Sequence, residues 1–177
     1  MKKLLLASCL FLVLGINQSR AGLLLEPYLG YGLGTVEGTG VDSTVTGSNF
    51  GARVGYQTFG LMLGGVYEMT PSSTLTNNIT DAESDYGSRS MIGVFAGYDF
   101  PLFVRAWASY YLNISSEDKD GNDTSDNIDS ATSVGVGLTF LPLVSLNIEY
   151  RMIDLAGTSS SLDSNEILAS VSLPLNL

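Results

Sequence analysis

The residues of this sequence that could do chemistry are mainly carboxylates, and they are densest in one stretch of thirteen residues. The acids there are Glu117, Asp118, Asp120, Asp123, Asp126 and Asp129. If Gly121 is aligned with the turn glycine of an EF-hand loop, Asp118 and Asp120 take the third and fifth positions, where such loops place calcium ligands. The twelfth position needs a bidentate glutamate but is Asn127. We therefore predict either a weak divalent-cation loop at Asp118, Asp120 and Asp123 or a solvated acidic loop, and no tightly bound metal.

The remaining side chains exclude most enzyme classes. The 177 residues include no histidine and one cysteine, which removes the commonest general base and the Ser-His and Cys-His nucleophile pairs. No fixed pair of acids can be identified for acid–base catalysis, so we predict no enzyme and no cofactor. Lys and Arg number 8 against 18 Asp and Glu. This balance argues against nucleic acid as a partner, because binding to phosphates needs a basic surface.

The first 21 residues have the pattern of a secretory signal peptide. Two lysines precede an apolar run over residues 4–16, and small residues flank Arg20 before the expected cleavage after Ala21. The apolar run is shorter than the roughly 20 residues that a membrane-spanning helix needs. We therefore expect residues 1–21 to be removed and residues 22–177 to form one domain, which has no cysteine and a net charge of −13.

Eight stretches of this domain alternate apolar residues with small or polar ones, which is the period-two pattern of β-strands. They lie at residues 24–36, 50–56, 61–69, 91–100, 104–112, 133–140, 144–152 and 167–177. The apolar face of each stretch carries no charge, whereas the other face is rich in glycine. A soluble barrel turns its charges outward, but a membrane barrel turns its apolar face to lipid and its polar groups to the lumen. The pattern thus predicts an all-β fold, an eight-stranded antiparallel transmembrane β-barrel.

Connection lengths and aromatic residues support the same architecture. Short connections near residues 59, 101 and 142 alternate with long ones over 37–48, 71–87, 113–130 and 156–165. Transmembrane barrels have short periplasmic turns and long extracellular loops, with an aromatic girdle at each membrane interface. The aromatic residues near the short connections are Tyr56, Phe59, Tyr98, Phe100 and Phe140, and those near the long ones are Phe50, Tyr67, Tyr110 and Tyr150.

Several of the stretches also resemble a known family. The segments EPYLGYGLG at 26–34, GARVGY at 51–56, LMLGG at 61–65 and VFAGY at 94–98 are similar to small outer-membrane β-barrel proteins, the group that contains the membrane domain of outer membrane protein A. The resemblance implies location in the bacterial outer membrane, contact with its lipid and lipopolysaccharide, and insertion by the barrel-assembly machinery. Barrels of this group usually end on an aromatic residue, and this chain departs from them by ending on Leu177.

Seven charged residues fall within the eight stretches, all on the predicted lumen face. They are Glu26, Arg53, Glu68, Asp99, Arg105, Glu149 and Arg151. Charges inside a narrow barrel need partners, so we predict a salt-bridged network that plugs the lumen. The alternative is a narrow porin-like channel for small solutes or ions, in which Arg53, Arg105 and Arg151 form a ladder for anions. An eight-stranded barrel is only wide enough for its own side chains, which favours the plug.

The other charges are assigned to the long connections, where fourteen acids stand against Arg89 and Lys119 and give a net charge of −12. These observations predict a structural or surface-interaction role, such as membrane integrity, adhesion or partner binding through acidic extracellular loops.

One place on the predicted lipid face is built from small residues. Ala96 in the fourth stretch is expected beside Ala106 and Ala108 in the fifth, where small side chains would let a second barrel approach closely. A homo-oligomer that associates with or encloses lipid is one hypothesis, and ordinary variation of a lipid-facing surface is the other.

Overall fold

The computed structural model describes residues 21–38, 41–80, 82–85, 87–101, 103–117, 120, 128–139, 143–155 and 163–177. Within these ranges the chain forms eleven strands and no helix. The strands are β1 (Gly22–Gly38), β2 (Val41–Thr58), β3 (Leu61–Thr70), β4 (Ser73–Asn77), β5 (Ala82–Asp85), β6 (Ser88–Phe100), β7 (Val104–Glu117), β8 (Ile128–Leu138), β9 (Ser145–Leu155), β10 (Asp163–Ser172) and β11 (Leu175–Asn176). Over the described residues, no helix has the length and hydropathy to cross a bilayer. Most of the predicted signal peptide lies outside these ranges.

Eight of the strands close into an antiparallel barrel. Their order is β1, β2, β3, β6, β7, β8, β9 and β10, and β1 pairs with both β2 and β10. The short strand β11 continues β10 along β1, where the backbone amide of Leu23 donates to the carbonyl of Leu177 at 3.0 Å and the amide of Leu177 donates to that of Leu23 at 2.9 Å. The predicted eight-stranded antiparallel β-barrel is therefore confirmed.

The barrel has a rim of short turns and a rim of long connections, which we call the inner and outer rims. At the inner rim β2 and β3 are joined by Phe59 and Gly60, both with positive φ, 48° and 84°. Two such residues in succession form the type I′ turn that matches the twist of a β-hairpin. Glycine adopts this conformation without strain, whereas a bulky residue such as phenylalanine pays for it, and the side chain of Phe59 is 79% exposed.

At the outer rim the strands are longer than the sequence pattern predicted. β1 and β2 stay paired as far as Gly38 and Val41, so most of the predicted 37–48 connection is strand. The predicted 71–87 connection contains the hairpin of β4 and β5, with β4 paired to the beginning of β2, at residues 43–47. The prediction followed the apolar face, which ends where the membrane ends. A strand can continue beyond that point because its backbone hydrogen bonds do not depend on lipid.

β7 also continues beyond its predicted end, past a β-bulge. The register between β6 and β7 shifts at Ile92 and Gly93, so that Leu112 and Asn113 are both exposed and Ile114 is buried. The inward parity therefore changes after Leu112, which is why the alternating pattern ended there in the sequence. A bulge inserts one residue into one strand and re-aims the side chains beyond it.

The two faces of the wall have the predicted chemistry. Exposed apolar side chains cover the outside, with Leu29 at 64%, Leu63 at 52% and Ile148 at 59% exposure. Phe140 lies outside the described residues. The other predicted girdle aromatics are all exposed on this outer face: Phe50, Tyr56, Phe59, Tyr67, Tyr98, Phe100, Tyr110 and Tyr150.

Candidate functional site

The seven charged residues predicted for the lumen all lie there, and six of them have almost no contact with solvent. The side chains of Arg53, Arg105, Arg151, Glu26 and Glu149 are at most 3% exposed. Glu68 is equally buried, whereas Asp99, near the inner rim, is 24% exposed. Alternation along the strands places them inside, because every one occupies the parity opposite to the lipid-facing residues.

The inner half of the lumen contains a chain of alternating charges. Asp99 accepts from the guanidinium of Arg105 at 3.0 Å, and Arg105 is 2.8 Å from Glu26. Glu26 is also 3.4 Å from Arg53 and accepts from the hydroxyl of Ser172 at 2.6 Å. The contact with Ser172 joins β1 to β10 across the closing seam of the barrel.

Glu149 connects the inner half of the chain to the outer half. One of its oxygens accepts from Arg53 at 2.9 Å and from the indole of Trp107 at 3.0 Å. Its other oxygen accepts from Arg151 at 3.0 Å and from the hydroxyl of Tyr111 at 3.4 Å. With four donors, Glu149 has the partners that a buried carboxylate requires.

The outer half is centred on Arg151. Its guanidinium donates to both oxygens of Glu68 at 2.8 Å and to Glu166 at 2.8 Å. Glu166 in turn accepts from Arg89, with both of its oxygens within 3.0 Å of one guanidinium nitrogen. Ion pairs therefore connect Asp99 at the inner rim to Arg89 at the outer rim without interruption.

Two members of this chain of ion pairs were not predicted from the sequence to lie in the lumen. The assignment of Arg89 to an outer loop is wrong, because Arg89 belongs to β6 and its side chain is only 17% exposed. Glu166 belongs to β10 and was not singled out. Both could have been found by continuing the inward parity outward, from Met91 to Arg89 and from Leu168 to Glu166. The lumen then holds four arginines and five carboxylates, so its net charge remains −1, and the other residues after Ala21 sum to −12.

Aromatic rings fill the space between the charges. Tyr28, Phe95, Trp107 and Tyr111 are all buried. The guanidinium of Arg53 lies between two of these rings, 4.8 Å from the centroid of Tyr28 and 4.2 Å from that of Trp107. Arg151 lies 5.1 Å from the centroid of Tyr111. Cation–π contacts of this kind are strongest when the cation is desolvated, as it is here.

Lumen glycines make room for these rings. A Cβ atom at Gly135 would run into the indole of Trp107, and one at Gly51 would run into the ring of Tyr28. A flat ring can lie directly on the strand only where the facing residue lacks a side chain. Glycines of the predicted glycine-rich face therefore accommodate aromatic rings inside the lumen.

The predicted cation loop and barrel contact lie elsewhere in the structure. Asp118 and Asp123 are outside the described residues, and Asp120 is exposed in a turn. In the described part of the chain, no three His, Cys, Asp or Glu side chains gather to hold a metal. Ala96 is the cross-strand partner of Ala108, and with Ala106 they line a shallow outer depression that Val134 and Ile148 continue. The cation site and the oligomer contact stay predictions.

Comparison with known proteins shows which family has this architecture. The architecture is shared by Ail, the attachment invasion locus protein of Yersinia pestis, whose structure was solved in complex with the heparin analogue sucrose octasulfate. The TM-score is 0.60 and the sequence identity is 11%, over 87% of this chain and 99% of the Ail chain. Neisserial surface protein A has a TM-score of 0.51 and 15% sequence identity, over 85% of this chain and 97% of its own. OprG from Pseudomonas aeruginosa has a TM-score of 0.50 and 9% sequence identity, over 90% of this chain and 98% of its own. At these identities the likeness shows the fold alone.

The sequence comparison is more specific. No curated protein sequence matches this chain significantly. Residues 6–173, however, match the family model of the outer membrane protein beta-barrel domain. The match covers nearly all of the chain, and the closed eight-stranded barrel with an apolar exterior agrees with it. The chain therefore belongs to the outer membrane protein beta-barrel family and is a protein of the bacterial outer membrane.

Proposed function

We propose that this protein is a closed barrel that acts at the cell surface through its outer rim rather than by passing solutes. The observation that carries the proposal is the uninterrupted chain of buried ion pairs from Asp99 to Arg89. Each arginine of the anion ladder considered above is held by at least one carboxylate, so it has little charge left to attract a passing anion.

The energetics also favour a closed lumen. Leaving one partner of a buried ion pair without the other costs about 3–5 kcal/mol. A continuous water path would have to separate several pairs at once, and it would also have to move the rings that stack on Arg53 and Arg151. The total would be comparable with the whole stability of a typical domain, about 5–15 kcal/mol.

Planar-bilayer recording of the mature protein tests this proposal. We expect the wild type to give no discrete openings. Replacing Arg53 and Trp107 together by alanine removes two large side chains that meet at 4.2 Å in the lumen, and we expect that variant to give openings under the same conditions. Discrete openings of the wild type would contradict the closed lumen and favour the narrow channel.

The charge of the outer rim indicates what kind of partner it would bind. Apart from the lumen, the region after residue 21 contains thirteen acids and one base, Lys119. Glu83 and Asp85 of β5 and Glu117 of β7 are exposed there. We propose a cationic partner, because a rim of one sign attracts the opposite charge and repels its own. In this respect the chain differs from Ail, which was crystallised with a polyanion.

Two polyions of opposite charge test the rim. We expect the wild-type barrel to bind a polylysine surface at low ionic strength, to lose most of that binding between about 0.05 and 0.5 M NaCl, and to show no binding of sucrose octasulfate. Exchanging Glu83 and Asp85 for lysine should weaken retention on polylysine, while Thr132→Lys at another position on the barrel serves as a control for added charge. Binding of sucrose octasulfate by the wild type would overturn the cationic-partner proposal.

The remaining expectations belong to this proposal as well. We propose that residues 1–21 are removed on export and that the barrel-assembly machinery inserts the rest. Association of two barrels through Ala96, Ala106 and Ala108 is the corresponding proposal for the outer depression.

A further inference from the structure

The barrel closes on itself, but the sheet that continues above it has an open edge. The hairpin of β4 and β5 extends the wall from the beginning of β2, and β5 is the last strand of the sheet. Among the described strands, β5 pairs with β4 alone, through the four residues Ala82–Asp85. All four residues are exposed. We call them the β5 edge.

The backbone of such an edge can pair with another chain. In an antiparallel ladder every second residue uses both its N–H and its C=O on one partner, so the residues between them present these groups to the free side. A free row of this kind is a template for an added strand, and natural proteins restrict it with short strands and charged side chains. The β5 edge is four residues long and carries Glu83 and Asp85. Its charges therefore decide which chain can pair with it.

The two acids project to the outer side of the sheet. Glu83 lies opposite Thr76 of β4, which lies opposite Thr44 of β2. Directly opposite residues share one face of a sheet, and Thr44 is six residues before Phe50, so it has the outward parity of that exposed aromatic residue. Asp85 is two residues after Glu83 and projects to the same side. A strand added at the β5 edge would therefore meet two carboxylates on one face, at alternate positions.

The β5 edge also lies above the hydrocarbon of the membrane. Asp85 is opposite Thr74, and Thr74 is opposite Thr46 of β2. Thr46 is four residues from Phe50, which is roughly 13 Å along the strand at about 3.3 Å per residue. Phe50 belongs to the outer aromatic girdle, and such girdles mark the level where the hydrocarbon ends. A segment in the aqueous phase can therefore reach the edge without displacing lipid.

The hairpin that carries the edge is held in place before any partner arrives. Thr44 and Asn78 exchange side-chain hydrogen bonds of 3.2 and 3.3 Å, which tie the tip of the β4–β5 hairpin to β2. At its base the backbone amide of Ser73 donates to the carbonyl of Gly87 at 3.1 Å. A preorganised edge loses less entropy when a strand is added to it.

From these observations we propose that the β5 edge binds an extended basic segment of a partner protein by strand addition. The backbone of that segment would continue the ladder of β5, and its lysine or arginine side chains at alternate positions would lie beside Glu83 and Asp85. Opposite charges on neighbouring strands stabilise a sheet, whereas like charges facing each other destabilise it. A second copy of this acidic edge is therefore a poor partner. The inference rests on the proposed cationic partner of the outer rim and adds how that partner is bound.

The test compares two lysine peptides of equal charge on the mature barrel in nanodiscs of phosphatidylcholine. One is a capped peptide that alternates lysine with threonine over about six residues, a typical strand length. The other is the same peptide with every backbone amide methylated, which removes the donors that strand pairing needs and keeps the charges. We expect the unmodified peptide to bind about tenfold more tightly, because it alone adds backbone hydrogen bonds to the charge attraction.

Hydrogen exchange and two charge variants show where the unmodified peptide binds. We expect this peptide to slow exchange of the backbone amides within Ala82–Asp85, and the methylated peptide to leave it unchanged. Glu83→Gln removes one of the two carboxylates and should weaken binding of the unmodified peptide about two- to fivefold. Asp154→Asn removes an exposed acid of β9, the third strand from β6 around the barrel, and should leave that binding nearly unchanged.

Three results would overturn the proposal of strand addition. They are equal affinity of the wild type for the two peptides, slowed exchange only at amides outside the β5 edge, and equal effects of Glu83→Gln and Asp154→Asn. Measurable but equal binding of both peptides would leave the cationic partner of the rim standing, whereas binding of neither peptide would overturn both proposals. A change of mobility on heating in a denaturing gel verifies that each variant is folded.

Discussion

Replacing Arg151 by methionine is expected to destabilise the folded barrel by about 4–5 kcal/mol, the upper part of the range for removing one partner of a buried ion pair. The side chain of Arg151 is fully buried and pairs with three carboxylates, Glu68, Glu149 and Glu166. Without it, Glu68 would keep only neutral donors, the hydroxyl of Tyr28 and the amide of Asn49. The change in stability is measured by unfolding the barrel in urea in lipid vesicles. The urea midpoint is where half of the protein has lost the gel mobility of the folded, unheated barrel.

Two further variants separate charge from geometry at this position. Arg151→Lys keeps the charge but cannot bind both oxygens of Glu68 as a fork, so its loss should be smaller than that of methionine. Adding Glu68→Gln to Arg151→Met removes one of the orphaned charges and should restore part of the stability. If Arg151→Met changed the unfolding free energy by less than about 1 kcal/mol, the ion pairs would behave like solvent-exposed pairs, and the lumen would have to contain water.

Replacing Gly135 by valine is expected to cost about 3–5 kcal/mol by a different mechanism. The new side chain would occupy the space of the indole of Trp107, and overpacking alone costs about 1–3 kcal/mol. Moving the indole would also break its hydrogen bond to Glu149 and its contact with Arg53. A hydrogen bond to a charged group contributes about 1.5–3 kcal/mol. The same unfolding measurement in vesicles gives the difference.

Gly65 provides the matched control. It is an exposed glycine on β3, and a Cβ atom there would have its nearest neighbour at 3.6 Å, the carbonyl oxygen of Gly93, which is an ordinary contact. Gly65→Ala should therefore leave stability unchanged or raise it by about 0.4–1 kcal/mol through the unfolded state. Reducing Trp107 to leucine in the Gly135→Val background should recover part of the loss. Equal effects of the two glycine substitutions would contradict the packing argument.

Parity along the strands explains how much of the site could be predicted. Because successive side chains alternate between two faces, an apolar outward set identifies the inward residues between its members, and Glu26, Arg53 and Glu149 follow directly. The alternation can be followed in the sequence only as far as the outward residues are apolar. Arg89 and Glu166 lie beyond that point, although their own parity is unbroken. Asn113 shows the opposite case, where a bulge changes the parity and no local signal reveals it.

Which charges pair with which could not be predicted. Glu149 and Arg53 are 96 positions apart in sequence, and Glu68 and Arg151 are 83 apart. Their contacts are made across the lumen, so they depend on the register of every strand pair between them and on the closure of β1 against β10. A one-residue slip in any pair would turn a whole set of side chains to the other face.

The fold class, the lipid-facing side of each strand and the location in the membrane could be predicted from local sequence, because successive residues of a strand face lipid and lumen in turn. How the lumen charges pair, and the completion of their chain of ion pairs by Arg89 and Glu166, depend instead on the tertiary structure. These features join residues that are distant in the chain. Their positions are fixed by barrel closure and by pairing between strands, which no single stretch of sequence specifies.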